Sequence, residues 1–149
     1  MRWQPSVTVA AVIERDGKFL CVEERRSQDD GLLLNQPAGH WENHETLIAA
    51  AQRETLEETA WEFTPTALLG IYHWQPSPDA TFLRFAFAGH LGAHHPTRRL
   101  DEGIVRAVWL TRAALAAQAD RHRSPLVMQC VLDYCAGIRI PLDHLRHIV

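Results

Sequence analysis

Polar and apolar residues alternate along most of this chain, and the period of the alternation changes from segment to segment. In "SVTVAAVIERDGKFLCVEER", two β-rich runs flank Asp16-Gly17, a dipeptide suited to a tight two-residue turn, so the segment predicts a β-hairpin. The next stretch, "RRSQDDGLLLNQPAGHWENHE", is punctuated by Gly and Pro and reads as mixed loop. "ETLIAAAQRETLEET" follows, rich in Ala, Leu, Glu and Gln and free of Gly and Pro, which predicts a helix capped at Asn43 or Thr46. Strands are expected at "TALLGIYHW" and "TFLRFAFAGHL", joined by the turn-rich "QPSPDA", and again at "EGIVRAVWL". In the second of these, Phe82, Arg84, Ala86 and Ala88 share one face, and Leu83, Phe85 and Phe87 the other. "TRAALAAQA" reads as helical. So does "SPLVMQCVLDYCAG", with Ser124 at its cap, Pro125 in its first turn and Gly137 beyond its end. The order β, β, α, β, β, β, α, α predicts an α+β fold in which helices pack on a mixed sheet.

The chain's 149 residues, 46% of them apolar, suit one domain with a sizeable core, and we expect a single domain over 1–149. A net charge of −3 gives no overall attraction to nucleic acid or to an acidic membrane surface. A local basic pocket stays open, because Arg25, Arg26, Arg84, Arg98 and Arg99 lie near the expected loops. Three cysteines without CxxC spacing suggest reduced, buried thiols, with Cys130 and Cys135 in the core of the last helix. No apolar run reaches spanning length and the N-terminus lacks a secretory apolar stretch, so the expectation is a soluble cytoplasmic protein, monomer or homodimer.

The chemistry concentrates in "RETLEETA". Glu54, Glu57 and Glu58 fall within an arc of about 100° on a helix, where like charges repel. Spacing alone allows two readings, a solvated helix face or a site for a hard cation such as Mg²⁺ or Mn²⁺. The residues upstream separate them. In "GHWENHETLIAAAQRETLEETAW", Gly39 is followed six residues later by Glu45, eight later by Arg53-Glu54, and then by Glu57-Glu58. This resembles the Nudix box, the signature of hydrolases acting on a nucleoside diphosphate linked to another group. Two positions depart from it. Thr55 replaces an aliphatic residue, and its hydroxyl can bond the carbonyl four residues back. Ala60 replaces the glycine that ends the helix, where a left-handed backbone would cost alanine roughly 1 kcal/mol.

"VTVAAVIERDGKFLCVEE", "NQPAGHWE", "HWQPSPDATFLRFAF" and "RSPLV" extend the likeness and are similar to the NudJ-type phosphatase subgroup. The resemblance implies the Nudix fold, an α/β/α sandwich, and a Mg²⁺-dependent phosphatase of nucleoside di- and triphosphates for which Mn²⁺ can substitute. Thiamine pyrophosphate and hydroxymethylpyrimidine pyrophosphate are implied as further substrates. It assigns Glu54, Glu57 and Glu58 as cation ligands, with Glu54 also a candidate general base and the backbone at Gly39 nearby. It further implies a Glu45–Arg53 salt bridge that orients the loop and the helix, which places Arg53 in the catalytic set. Some members take the base from a later loop; Glu102 is the candidate here and Asp101 its rival. The substrate contacts are softer. Arg84 faces solvent on the ordinary reading of a lone arginine in an apolar strand, but its fork suits phosphate if it faces a cleft. Arg25 and Arg26 are loop candidates. Trp74 and Tyr72 offer ring faces or core packing. Trp41 sits in the box loop, and Gln36 and His40 flank it, within reach of hydrogen bonds to a substrate. Two alternatives stay open: a pyrophosphatase that cleaves an internal linkage and releases a nucleoside monophosphate, and a nucleotide-sensing module without catalysis.

Overall fold

The computed structural model describes residues 2–25 and 31–149; Arg26 lies outside the described residues. Among the described residues, eight strands form two four-stranded sheets. The first holds β5 (Ala38–His40), β1 (Ser6–Val12), β7 (Ala80–His94) and β6 (Trp61–Ser77) in that order. The second holds β2 (Glu14–Arg15), β3 (Lys18–Arg25) and β4 (Leu32–Asn35), with β8 (Ile104–Thr111) also paired to β3.

The turn at Asp16-Gly17 forms as expected, with φ of 52° and 77°. The hairpin it closes is β2–β3, however. The chain bends at Ile13 so that β1 leaves for the other sheet, where it runs parallel to β7 and antiparallel to β5. The expected mixed sheet is thus present, and a second, antiparallel sheet accompanies it. The segment read as mixed loop also carries β4 and β5, both too short for a clear alternation. Extending β6 to Ser77 and starting β7 at Ala80 shrinks the expected connector to Pro78-Asp79. His94 ends β7 and stacks on Trp61 at 4.3 Å, and His95, the next residue, meets Glu62 at 2.6 Å.

Both faces of the first sheet are covered, because β1 and β7 are apolar on both sides. Val9, Ala11, Ile13 and Phe87 pack with Ala50 and Ala51 of helix α1 (Leu47–Thr59). Ala10, Val12 and Ala86 face the opposite way, onto Val127, Cys130 and Val131 of helix α3 (Leu126–Cys135) and onto Phe19 and Cys21 of β3. A short helix, α2 (Arg112–Ala116), precedes α3 and buries Leu115. Helices thus cover both faces of a mixed sheet. Cys21 and Cys130 are buried as expected, but Cys135 is exposed, since α3 ends there and its last turn leaves the core.

The helix ends explain α1. Thr46 caps its start, accepting the Ala49 N–H at 3.0 Å. Thr55 is fully buried and donates to the Ala51 carbonyl at 2.7 Å, so the hydroxyl in the apolar face is satisfied within the helix. Ala60 takes the left-handed conformation, φ 62°, that a glycine would occupy without strain, and its N–H closes onto the Leu56 carbonyl.

Candidate active site

Helix α1 lies against the edge strand β5, and the fit depends on a missing side chain. A Cβ at Gly39 would stand 2.2 Å from the carboxyl carbon of Glu54. Glycine is required here for close approach, not for an unusual φ. Gly39→Ala is therefore expected to push the Glu54 carboxylate out of place. Assays of initial rate should show a loss of roughly a hundredfold for a displacement of about 1 Å, with the secondary structure retained by circular dichroism.

Glu54 and Glu57 converge with Asp101, and one oxygen from each lies within 4.8 Å of the other two. Asp101 comes from the loop between β7 and β8, which is tied to the helix by a hydrogen bond from the Asp101 N–H to the Glu57 carbonyl at 2.9 Å. Burial, and then the charges of Glu57 and Asp101, raise the pKa of Glu54 against the pull of Arg53. Burial also raises Glu57, with the contact to Asp101 adding to it. Three hard oxygen donors held together against their own repulsion fit a divalent cation of the Mg²⁺ or Mn²⁺ type.

Glu58 stands apart from this cluster. Its carboxylate is buried and accepts the Ala38 N–H at 2.9 Å, which joins α1 to the start of β5. Burial is the largest cause pushing its pKa up, to about 9. Between the ordinary carboxylate range and about 9 the folded chain therefore binds more protons here than the unfolded chain. In that window stability falls as pH rises, by up to about 1.4 kcal/mol per pH unit. In cation-free buffer Glu58→Gln, which keeps an oxygen for the Ala38 N–H, is expected to flatten this decline in thermal unfolding between pH 5 and 9.

Arg53 is the hub of the loop that precedes α1. It donates to both oxygens of Glu45 at 3.0 and 2.8 Å, to Glu54 at 2.7 Å, to Glu57 at 3.4 Å and to the His40 carbonyl at 3.0 Å. The Arg53 hydrogen bonds hold Glu45 below the usual carboxylate pKa. Glu45 also accepts the Glu42 N–H at 2.9 Å, and its carbonyl accepts the Trp41 indole N–H at 2.8 Å. The Glu45–Arg53 bridge read from the box is thus present in the fold.

On the other side of β5 an open cleft of about 410 Å³ runs toward α3, a size suited to a small ligand. His40 and Trp74 line it, and so does Arg84. Arg84 does not face solvent: it is 6% exposed and hydrogen-bonds the side-chain oxygens of Gln36 at 3.0 Å and Asn35 at 3.1 Å. The apolar alternation of β7 hid this, because a strand buried on both faces gives an inward arginine no distinctive period. Gln36 is buried behind Arg84, with its amide N–H fixed on the Val127 carbonyl at 2.7 Å. Tyr72 packs at the core edge and donates to Asp133 at 2.6 Å.

Other expected positions lie elsewhere. Glu102 is exposed and outside the carboxylate cluster, which takes its neighbour Asp101 instead. Trp41 borders a separate apolar hollow beside the C-terminal segment, with Leu47, Ile48 and Leu145. Arg25 is exposed at the end of β3 and does not line the cleft. Arg98 and Arg99 are likewise exposed, so the basic group of the cleft is Arg84 with Arg123. Asn35, Glu24 and Arg123 also line the cleft; each lies in a segment similar to the NudJ-type subgroup, but spacing alone did not single any of them out.

Comparison with known proteins agrees with this geometry. The family model for the NUDIX domain matches residues 2–130, and the chain belongs to the Nudix family of hydrolases. It is an enzyme of that class, acting on small-molecule phosphoanhydrides. It is 40% identical over 141 residues, 95% of this chain and 90% of the relative, to a protein of Escherichia coli K12 named "Phosphatase NudJ". A solved NUDIX hydrolase from Nitrosomonas europaea superposes with a TM-score of 0.93 at 51% identity, covering 97% of this chain and 98% of that one. A UDP-X diphosphatase superposes with a TM-score of 0.73 at 18% identity, which reflects a shared fold. Among the described residues, no helix is long and apolar enough to cross a membrane.

Proposed function

We propose that the enzyme removes the terminal phosphate from nucleoside di- and triphosphates, with thiamine pyrophosphate and hydroxymethylpyrimidine pyrophosphate as further candidate substrates. One observation carries the reading: Glu54, Glu57 and Asp101 converge where the Gly39 edge separates them from an open cleft. The phosphatase name of the 40% identical relative supports the type of cut. All the acids of the box are present, which argues against a sensing module without catalysis.

Glu54, Glu57 and Asp101 would hold a divalent cation, Mg²⁺ or Mn²⁺. When bound, the cation supplies neutralisation of the charge on the phosphoanhydride oxygens. The rest is the chain's own work. Arg53 fixes the positions of the Glu54 and Glu57 carboxylates and ties the 41–46 loop to the helix, so the site is organised before substrate arrives. Glu54, with its pKa raised by burial, is poised to take the proton of an attacking water at its carboxylate oxygen. Glu58 keeps β5 seated on α1.

The test is a panel of GDP, GTP and thiamine pyrophosphate with Mg²⁺, with the products identified. Orthophosphate release supports the proposal. Pyrophosphate with a nucleoside monophosphate assigns the internal linkage instead, and no turnover on any of the three contradicts the reading.

A further inference from the structure

The floor of the cleft joins opposite charges through one amide. Arg84 donates to the Asn35 carbonyl oxygen at 3.1 Å, and the Asn35 amide nitrogen donates to Glu24 at 3.3 Å. Both atoms of the Asn35 amide are used, and Gln36 fixes the other arm of the guanidinium. Among the described residues the hydrogen-bond partners of Arg84 are the Gln36 and Asn35 oxygens and, at 3.9 Å, the Cys130 Sγ, none of them a carboxylate, and its buried Nε has none. A buried guanidinium with spare N–H groups is costly unless a ligand completes it.

Position decides which part of a ligand reaches it. Across the first sheet, His40 of β5 pairs with Thr8 of β1, and Thr8 with Arg84 of β7. Adjacent strands are about 4.8 Å apart, so the backbone of Arg84 lies roughly 10 Å inward from that of His40. Gly39 faces Glu54 and α1, whereas His40, one residue on, belongs to the opposite face with Thr8 and Arg84. The carboxylate cluster and Arg84 therefore address different ends of one substrate lying over the β5 edge. Trp74 and Phe82, 5.3 Å apart, give the cleft an apolar wall beside Arg84. A phosphate set on Arg84 would share the cleft with the Glu24 carboxylate, whose charge Arg123 meets from the solvent side at 3.5 Å.

We propose that Arg84, Asn35 and Glu24 form a donor–acceptor rail that reads the edge of a nitrogen heterocycle on the substrate, an acceptor against Arg84 and an N–H against Glu24, and that they do not grip its phosphates. The proposal rests on the phosphoanhydride-hydrolase reading above and assigns the specificity of that site. It replaces the phosphate role that the sequence allowed for Arg84.

The experiment is calorimetric titration in cation-free buffer with GMP and with N1-methyl-GMP, which share a phosphate but differ in the ring N–H. The wild type is expected to bind GMP at least tenfold more tightly, the loss of one hydrogen bond to a charged group being worth roughly ten- to a hundredfold. In Glu24→Leu the two ligands should bind within threefold of each other. Arg84→Met should weaken GMP at least tenfold; if that variant does not fold, Glu24→Leu at the cleft rim still decides. Equal affinity of the wild type for both ligands, or no binding of GMP, overturns the rail. A kinetic readout separates ring from phosphate recognition. In Glu24→Leu the ratio of kcat/KM for GDP to that for tripolyphosphate should fall at least tenfold. A ratio within twofold of the wild type overturns the proposal. If the wild type hydrolyses neither compound, the terminal-phosphatase reading fails, and the titrations still judge the rail.

Discussion

Glu57→Gln is expected to lower hydrolysis at least about a thousandfold while the protein folds normally. The substitution is nearly isosteric and changes one charge. Glu57 is half-buried beside Glu54 and Asp101, and burial together with these acids already opposes its ionised form. Removing that charge relieves repulsion in the cation-free protein, so its Tm should hold or rise slightly. What disappears is one of three hard donors. The cluster would then hold a cation weakly and out of place, and rate depends steeply on placement. Phosphate release under saturating Mg²⁺, with thermal unfolding alongside, measures both effects. Retention of more than a tenth of the wild-type rate would show that Glu57 is not a ligand.

Arg53→Ala should damage stability and activity together. The guanidinium bridges Glu45, Glu54, Glu57 and the His40 carbonyl, so its loss leaves several partly buried acceptors and two carboxylates without a partner. Exposed ion pairs contribute little, but this one is mostly covered and bidentate. A loss of about 2 kcal/mol follows, which for a chain of this length lowers Tm on the order of 5–10 °C. Activity should fall about a hundredfold even well below the new Tm, because the 41–46 loop and the Glu54 carboxylate lose their common anchor. Arg53→Lys should recover little, since an ammonium cannot span both Glu45 oxygens and the His40 carbonyl. A lysine variant with near wild-type Tm and rate would reduce the network to a surface pair.

The box helix was readable because its signal is local. Thr46, Thr55 and Ala60 behave as their chemistry dictates, and the Glu45–Arg53 bridge forms across eight residues of sequence. What escaped is set by long-range pairing. The division into two sheets depends on β1 pairing in parallel with β7, more than seventy residues away, which no period in the sequence reports. Asp101 and Glu102 are indistinguishable as neighbouring loop acids until the Asp101 N–H docks on the Glu57 carbonyl. Arg84 read as solvent-facing because a lone arginine in an apolar run usually is, and its buried place follows from Asn35, which ends β4, and Gln36, which follows it. Glu58 shares a helical arc with Glu54 and Glu57, yet the edge of β5 takes its carboxylate first.

The central claim is that Glu54, Glu57 and Asp101 jointly bind a divalent cation, and a crystal soaked in manganese tests it most directly. Diffraction near the manganese edge should show an anomalous peak within bonding distance of all three carboxylates and beside the Gly39 edge. A clear map of the same residues, with the cleft open to solvent and no such peak, would contradict it.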